Sequence, residues 1–293
     1  MPGFSPFRRA VVLGTGLIGG SFALALRRFA LQIHVAGWDR PDVSREAFER
    51  GAVQQAFSGE LAEALAGADL VYLALPIGAS LDVLPAVASY AAPQALVTDA
   101  GSTKEHFTLR VAEVLAKQPR PDLLFLPGHP MAGKEHSGIA HADAELFRDA
   151  PYALVAEEPA RSDPRAGHFA ALVESIGARP IWLGARQHDF AVALSSHLPQ
   201  LCAVALASFL YDRIDENGLP LTLSGPGLRD SLRLAGSPYS TWRDILLTNR
   251  EVIAPILDLF ARHLLDLRDR LSSRELEASF DAANELHKLL RNL

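Results

Sequence analysis

A histidine between glycine and proline is the first residue in this chain whose setting suits chemistry. His129 lies in the run Gly-His-Pro-Met-Ala-Gly at 128–133, which follows the apolar stretch 123–126. A strand over that stretch would place His129 at the carboxyl edge of a sheet, where ligands and catalytic groups collect in open α/β folds. An imidazole there is suited to general acid–base catalysis. From the residues alone, a loop histidine bound by neighbouring backbone is an equal alternative.

Three more candidate residues follow predicted strands. Pro76 comes after the apolar stretch 70–75, and Asp99 and Ser102 come after the stretch 95–98. Because the carboxyl ends of parallel strands meet at one edge, we expect these residues to lie near the histidine and to contact a ligand. Ser102 also begins the sequence Ser-Thr-Lys-Glu, which is typical of a helix capping box. Capping is its favoured role from the sequence alone.

A glycine-rich turn after the first apolar run predicts a dinucleotide-binding site. The stretch 10–13 runs into Gly-Thr-Gly-Leu-Ile-Gly at 14–19, the GxGxxG pattern between a strand and a helix. Gly14 serves the tight turn, Gly16 lets the backbone approach a pyrophosphate, and Gly19 permits close packing of helix on strand. The predicted phosphate-binding residues, at the helix N-terminus, are Gly14, Gly16, Leu17, Ile18 and Gly19.

An acidic residue ends the second predicted strand. Asp39 lies 20 residues after Gly19, where the ribose-binding acid of such folds is expected. A carboxylate accepts hydrogen bonds from the ribose hydroxyls and repels a 2′-phosphate, which favours NAD over NADP. Arg40 is the type of residue that accommodates that phosphate, so NADP is the less favoured alternative.

The second half of the chain contributes another candidate histidine. His197 lies on an apolar stripe with Phe190, Leu194 and Leu201, where a histidine is usually a hydrogen-bonded core residue. Pro199 follows closely and should disturb the carbonyl four residues before it, which would open the helix locally. Such openings often occur at functional sites, so the two roles are equally favoured.

An arginine further along is a candidate for binding an anion. Asp230 and Arg233 could form an ordinary helical pair at i,i+3 spacing. Alternatively, Arg233 could bind a carboxylate through its bidentate fork. Trp242, judged alone, is a core residue rather than part of a ligand pocket.

The spacing of apolar residues predicts two domains that position these candidates. Short apolar runs alternate with helical patterns in the first half, as in a parallel α/β sheet. The predicted strands are 10–13, 33–38, 70–75, 95–98, 123–126, 152–155 and 180–183. After Gly184 the pattern is helical, and Pro255 should kink or break one of its helices. We predict an α/β Rossmann-like domain over 1–183 and an all-α domain over 184–293, whose apolar stripes favour a dimer.

Composition excludes several other classes of protein. The net charge is −6 with both signs scattered, which argues against nucleic acid or an anionic membrane as a partner. The single cysteine, Cys202, excludes a disulfide framework and favours a reducing cytoplasm. We expect no signal peptide and no membrane span, because no apolar stretch approaches about 18 residues. The spacing of His129, His136 and His141 matches no metal-binding motif, so no metal is expected.

Taken together, these segments resemble the prephenate/arogenate (cyclohexadienyl) dehydrogenase family of tyrosine biosynthesis. The matching segments are 14–21, 99–104, 128–135, 196–199 and 225–249. The resemblance implies a Rossmann-like domain followed by an all-α dimerisation domain, with the active site between them. It also implies an NAD+-dependent oxidative decarboxylation, in which hydride leaves the ring carbon that bears the hydroxyl and carbon dioxide is lost. Prephenate is the favoured substrate, and arogenate or both compounds are alternatives.

The resemblance also implies a role for each candidate residue. His129 would accept a hydrogen bond from the substrate hydroxyl, and Ser102 would hold His129 or the nicotinamide. Arg233, near Asp230, would bind the side-chain carboxylate of the substrate, and His197 and Trp242 would line its pocket. No βαββαβ pattern follows the helices and no chorismate mutase helix precedes the first strand. We therefore expect no appended regulatory domain, and expect any inhibition by tyrosine to act at the active site.

Two other functions remain as alternatives. Another two-domain dehydrogenase, of β-hydroxyacids or imines, would share the Rossmann-like half and the helical half. A non-catalytic NAD sensor that dimerises through its helices would bind NAD without turnover. The Gly-His-Pro loop and the Ser-His-Leu-Pro segment argue against the first of these, and the joint presence of His129, His197 and Arg233 argues against the second.

Overall fold

The first half of the chain folds around a parallel sheet, as predicted. The computed structural model describes residues 6–214 and 218–291. The strand order is β3-β2-β1-β4-β5-β6, and every pairing in this sheet is parallel. The strands are β1 Arg9–Leu13, β2 His34–Trp38, β3 Gln55–Phe57, β4 Leu70–Leu73, β5 Leu96–Asp99 and β6 Leu124–Phe125. The order of strands reverses between β1 and β4, and the crevice outside that point is where such sheets bind ligands.

Helices cover both faces of this sheet. They are α1 Leu17–Phe29, α2 Pro41–Glu49, α3 Leu61–Leu65, α4 Ile77–Tyr90 and α5 Glu105–Lys117. The central strands are buried on both faces, which explains why they are continuous apolar runs rather than alternating ones. On one face, Phe22 of α1 stacks on Tyr72 of β4 with ring centroids 3.8 Å apart. This packing fixes the start of α1 against the sheet.

A second, smaller sheet corrects the expected position of His129. Its strands are β7 Gly128–Pro130, β8 Pro151–Val155 and β9 Arg179–Leu183, with α6 Pro164–Ser175 between the last two. Strand β7 is antiparallel to β8, and β8 is parallel to β9. His129 therefore lies inside a short strand of its own and not in a loop after β6. The chain changes sheets at Pro127, whose carbonyl already accepts a hydrogen bond from Val155 of the second sheet.

The described residues after Gly184 form helices and no strand. These helices are α7 Ala185–Val192, α8 Leu198–Tyr211, α9 Leu219–Thr222, α10 Pro226–Leu232, α11 Tyr239–Thr248, α12 Arg250–Asp269 and α13 Leu276–Arg291. The predicted break at Pro255 is wrong, because α12 continues through it. Pro255 lies in the second turn, where only the Glu251 carbonyl loses its helical donor. The division occurs instead at Asn249, between α11 and α12.

Helices α7 and α8 form one continuous helix from Ala185 to Tyr211. By length and hydropathy alone this helix could cross a membrane, which is weak support for a membrane span because core helices of soluble proteins pass the same test. Its buried side includes the polar residues His188, Asp189 and Gln200. Those side chains make hydrogen bonds within the protein, and 28% of the most apolar stretch of the helix is buried.

Candidate active site at the domain junction

The glycine turn has the shape that a pyrophosphate requires. Gly14 has φ +92°, and a Cβ there would lie 2.6 Å from the carbonyl oxygen of Ala74. A Cβ on Gly19 would lie 1.9 Å from the carbonyl oxygen of Gly14. By contrast, a Cβ on Gly16 would meet no described atom within 4 Å, so open space adjoins that backbone. Helix α1 starts immediately afterwards at Leu17, and its first N–H groups have no partner within the helix.

Asp39 lies beside this turn, where a ribose would be held. Its Oδ2 accepts hydrogen bonds from the Thr15 backbone at 2.6 Å and from the Thr15 hydroxyl at 3.3 Å. Its Oδ1 accepts from the backbone N–H of Arg40 at 2.8 Å. The side chain of Arg40 is exposed at the start of α2. The carboxylate is thus fixed next to the phosphate-binding turn.

A cavity of about 340 Å³ connects the glycine turn with the helical domain. Its wall includes Ile18, Pro76 and Ser102 from the first domain. His129, which we expected beside Pro76 and Ser102, is not among the residues that line it. Thr241 and Asp244 of α11 form part of the opposite wall. Asp244 Oδ2 also accepts a hydrogen bond of 3.0 Å from the backbone N–H of Gly78, at the N-terminus of α4. The two domains therefore meet around this cavity.

The predicted capping role of Ser102 is wrong. Helix α5 begins at Glu105, and no neighbouring side chain caps it. The carboxylate of Asp189, from α7, accepts the backbone N–H groups of Lys104 at 2.7 Å and Glu105 at 2.9 Å. A buried carboxylate from the second domain therefore occupies the capping position, and the Ser102 side chain is left half-buried at the cavity.

Asp99 does not occupy the cofactor-contacting position that we expected. Asp99 is only 1% exposed, and its carboxylate forms an ion pair with the buried Lys104. It also accepts hydrogen bonds from the backbone N–H groups of Gly101 at 2.8 Å and Gly128 at 3.1 Å. Burial raises the pKa of Asp99, and the contact with Lys104 opposes that rise. Asp99 thus connects the Ser102 loop with the strand that carries His129.

His129 is the end of a hydrogen-bonded chain of two histidines and one carboxylate. Its Nδ1 lies 2.9 Å from Nε2 of His188, and Nδ1 of His188 lies 2.8 Å from Oδ1 of Asp189. An ionised carboxylate only accepts, so a neutral His188 carries its proton on Nδ1 and accepts on Nε2. His129 then donates from Nδ1, which leaves its Nε2 as an acceptor. Burial, with smaller contributions from His188 and Lys104, holds the pKa of His129 well below its usual value.

The helix is locally widened at His197, as the position of Pro199 predicts. The turn Ala193–His197 is a π-helix, in which the N–H of Leu198 donates to the carbonyl of Ala193. Pro199 lacks the N–H that the carbonyl of Ser195 would normally accept. The opening therefore falls on the turn that ends at the candidate histidine.

His197 is buried and oriented by an amide. It is 1% exposed, and its Nδ1 lies 3.2 Å from Nδ2 of Asn249, which also donates to the backbone carbonyl of Asp189 at 2.9 Å. Because the amide nitrogen only donates, His197 accepts on Nδ1 and carries its proton on Nε2. The ring packs edge-on against Trp242 with centroids 5.8 Å apart. Burial lowers the pKa of His197 to about 4.

Arg233 lies next to the helix of His197 and outside the cavity. Asp230 and Arg233 are both exposed, and they form no ion pair in the part of the chain that the structure describes, so the helical-pair alternative is wrong. Arg233 begins a 3₁₀ turn whose Leu234 carbonyl accepts a hydrogen bond of 2.9 Å from Gln200. Gln200 is nearly one turn after His197, and this bond holds the arginine segment against α8.

Sequence reasoning missed His188 and Asp189. Only part of the predicted apolar stripe on this helix is buried, since Phe190 is 54% and Leu194 is 44% exposed whereas His197 is 1% exposed. The buried side instead carries His188, Asp189 and His197. Two adjacent polar residues close to the domain boundary were the only signal, and such a pair is equally typical of a solvated helix start.

Comparison with known proteins assigns the family. The sequence profiles of the nucleotide-binding domain and the dimerization domain of prephenate dehydrogenase match residues 22–182 and 184–292. The chain is 31% identical over 272 residues to a prephenate dehydrogenase of Lactococcus lactis, covering 92% of this chain and 73% of that relative. It is 30% identical over 272 residues to a cyclohexadienyl dehydrogenase of Zymomonas mobilis, covering 92% and 90%.

A solved structure agrees with both profile matches. It is the prephenate dehydrogenase of Aquifex aeolicus in complex with hydroxyphenyl propionate and NAD+, which aligns with a TM-score of 0.85 at 25% identity over 97% of each chain. The alignment includes both the nucleotide-binding half and the helical half of the chain, so the assignment to a family does not rest on the Rossmann-like half alone. Because both halves of the chain match the two domains of one family in order, this chain belongs to the prephenate dehydrogenase family of oxidoreductases.

Proposed function

We propose that this protein is an NAD+-dependent prephenate dehydrogenase, which forms 4-hydroxyphenylpyruvate and carbon dioxide in tyrosine biosynthesis. The observation that carries the proposal is the position of His129 at the junction of the two domains, where its Nδ1 lies 2.9 Å from Nε2 of His188 in the helical domain. Its position is supported by the bond from Gly128 to Asp99, whose loop continues to Ser102 in the cavity wall. Relatives named for prephenate and for cyclohexadienyl substrates support the same chemistry.

The residues present fit NAD. The open backbone at Gly16 and the N-terminus of α1 would hold the pyrophosphate, and Asp39 would bind the ribose hydroxyls. The carboxylate of Asp39 would repel a 2′-phosphate, which favours NAD over NADP. When bound, the nicotinamide accepts the hydride. Ile18, Pro76 and Ser102 form the wall against which that ring would lie.

His129 performs the proton chemistry of the proposed reaction. Loss of hydride develops positive charge at the ring carbon that bears the hydroxyl. His129 Nε2 accepts the hydroxyl proton as this charge develops, and its lowered pKa keeps the imidazole neutral and ready to accept. His129 returns the proton to the ring oxygen when carbon dioxide leaves and the ring becomes aromatic, so the product keeps its hydroxyl group. Aromatisation of the ring supplies driving force, so the protein chiefly orients the two reactants.

The helical domain supplies the groups that recognise the substrate. Arg233 has no ion-pair partner among the described residues, and its guanidinium would bind the side-chain carboxylate of prephenate. His197 would donate from Nε2 to the substrate, with Trp242 packed against the imidazole ring. Asp230, exposed on the preceding helix, would border the same carboxylate-binding segment.

Steady-state assays test the proposed function directly. Purified protein would be supplied with prephenate or arogenate, each with NAD+ and with NADP+, while reduced cofactor is followed by absorbance. We expect the highest kcat/KM with prephenate and NAD+. Turnover of a 3-hydroxyisobutyrate-type acid with no turnover of prephenate would show the hydroxyacid alternative to be correct. NAD binding without turnover of either cyclohexadienyl compound would show the sensor alternative to be correct.

We also propose that the helical domain forms a homodimer. Large apolar side chains are exposed on its long helices, among them Phe190, Phe209, Leu259, Phe280 and Leu289. An apolar surface of this extent is typical of a protein interface. Light scattering after gel filtration should give about twice the chain mass of 31.6 kDa. A monomer at micromolar concentration would contradict the proposal.

A further inference from the structure

Two hydrogen-bond chains meet at Asp189, and each ends on a different histidine of the site. The Asp189 carboxylate binds Nδ1 of His188 at 2.8 Å, and His188 Nε2 lies 2.9 Å from Nδ1 of His129. The backbone carbonyl of Asp189 accepts from Asn249 at 2.9 Å, and the same amide nitrogen lies 3.2 Å from Nδ1 of His197. Asp189, His188, Asn249 and His197 are all buried, so water does not compete for these bonds.

The two chains have opposite polarity. The carboxylate arm is the chain from the Asp189 carboxylate through His188; it begins with an acceptor and leaves His129 Nε2 without a proton. The carbonyl arm is the chain from the Asp189 backbone carbonyl through the amide of Asn249; its amide donates to Nδ1 of His197 and leaves His197 Nε2 with a proton. The two imidazoles therefore offer one acceptor and one donor, and neither has to change tautomer to do so.

We propose that Asp189 is the positioning residue that sets opposite tautomers on the two histidines, acting through His188 on His129 and through Asn249 on His197. This inference rests on the proposed function for its catalytic consequence, but the tautomers themselves belong to the free protein. Asp189 also accepts the backbone N–H groups that begin α5, so the same side chain ties α7 to the nucleotide-binding domain.

The carboxylate arm has a second, electrostatic effect. A proton taken up by His129 is stabilised by the negative charge of Asp189 at the far end of the chain. Replacing that carboxylate by an amide removes the stabilisation, which lowers the proton affinity of the pair of imidazoles. The charged or titratable groups around His188 are Asp189, His129, His197 and, behind His129, the pair Lys104–Asp99.

Nitrogen-15 NMR of the histidine side chains tests the tautomers in the full-length protein without substrate. We expect His129 to be protonated on Nδ1 and His197 on Nε2, with the exposed His287 as an internal control. Asn249→Asp exchanges the donor for an acceptor and should move the His197 proton to Nδ1 without affecting His129. The same tautomer on both histidines in the wild type, or no change in Asn249→Asp, would overturn the inference.

Kinetics test the carboxylate arm separately. Asp189→Asn retains the backbone carbonyl, so it should lower kcat with prephenate by about 10²-fold, the lower end of the range for acid–base catalysis, with a smaller change in KM. In the pH profile of this variant, the fall of kcat/KM on the acid side should occur at lower pH than in the wild type. A merely structural loss would lower activity without shifting this fall to lower pH, and this result would contradict the proposal.

A second pair of variants guards against unfolding of Asp189→Asn. His188→Gln keeps an acceptor for His129 Nδ1, whereas His188→Leu removes it, and both leave the Asp189 contacts with α5 in place. We expect His188→Gln to retain about 10-fold more kcat than His188→Leu, since about 1.4 kcal/mol corresponds to tenfold. Equal loss in both would contradict the inference. If the wild type does not turn over prephenate, the proposed function fails while the NMR result still decides the tautomers.

Discussion

The cofactor side and the proton-transfer side of the site are held in place by different means. The glycine turn is fixed by local sterics, because Gly14 and Gly19 each lie where a Cβ would collide with nearby backbone. His129 is fixed by side chains distant in sequence, since His188 is 59 residues away and Asp189 lies 85 residues from Lys104. The difference teaches that cofactor binding and proton transfer can be disabled independently.

Replacing the acceptor histidine should have the largest effect. We expect His129→Asn to lower kcat by about 10²–10⁴-fold, because it removes the neutral imidazole that takes the substrate proton. The dissociation constant for NAD+, measured by titration calorimetry, should remain within about twofold because the glycine turn is untouched. Near-normal turnover would show that His129 is not the proton acceptor, and that the proposed separation of cofactor binding from proton transfer is wrong.

Removing the exposed arginine should weaken substrate binding next. We expect Arg233→Ala to raise KM for prephenate about 10- to 100-fold, since a hydrogen bond to a charged group contributes about 1.5–3 kcal/mol. The control is Arg229→Ala, an exposed arginine one turn earlier on α10, which should leave KM nearly unchanged. An equal KM for Arg233→Ala and the wild type would place the carboxylate elsewhere.

A single methyl group should disturb the cofactor side alone. Gly16→Ala adds a Cβ into open space, so the melting temperature of the free protein should not change. The same Cβ would obstruct the pyrophosphate, and we expect the dissociation constant for NAD+ to rise about 10-fold or more, equivalent to at least about 1.4 kcal/mol. Unchanged NAD+ affinity would show that the cofactor does not approach this backbone.

The dependence of kcat/KM on pH should report the protonation of His129 and not the binding of the cofactor. The acceptor must be neutral, so kcat/KM falls as pH decreases through the pKa of His129. Burial places that pKa well below 6.5, so the acid limb should lie below pH 6.5 and the plateau should include neutral pH. NAD+ affinity should vary little over that limb. An acid limb at or above pH 6.5 would indicate a solvated histidine or a different group.

The same contrast explains what could be predicted from the sequence. The parallel sheet, the glycine turn and the position of Asp39 follow from patterns within about 30 residues, which apolar periodicity and glycine spacing report directly. The widened turn at His197 was predictable because Pro199 acts on a carbonyl four residues away.

Contacts between distant segments could not be predicted. The Ser102 capping box has the correct local pattern, but the carboxylate of Asp189 takes the helix N-terminus instead. Strand β7 spans only Gly128–Pro130 and includes a proline, so it has too few residues to show a strand period. The buried side of the long helix is polar because it faces His129 and the start of α5, and no local pattern distinguishes that from a solvated side.

The continuous helix Ala185–Tyr211 connects the buried histidines with an exposed apolar surface of the helical domain. At about 1.5 Å per residue, its exposed apolar end near Tyr211 lies roughly 20 Å from His197 along the same rod. A displacement of that end reaches His197 along one helix, and the widened turn Ala193–His197 lies between that end and His188. We therefore expect substitutions on that surface to alter the orientation of His197 more than that of His188.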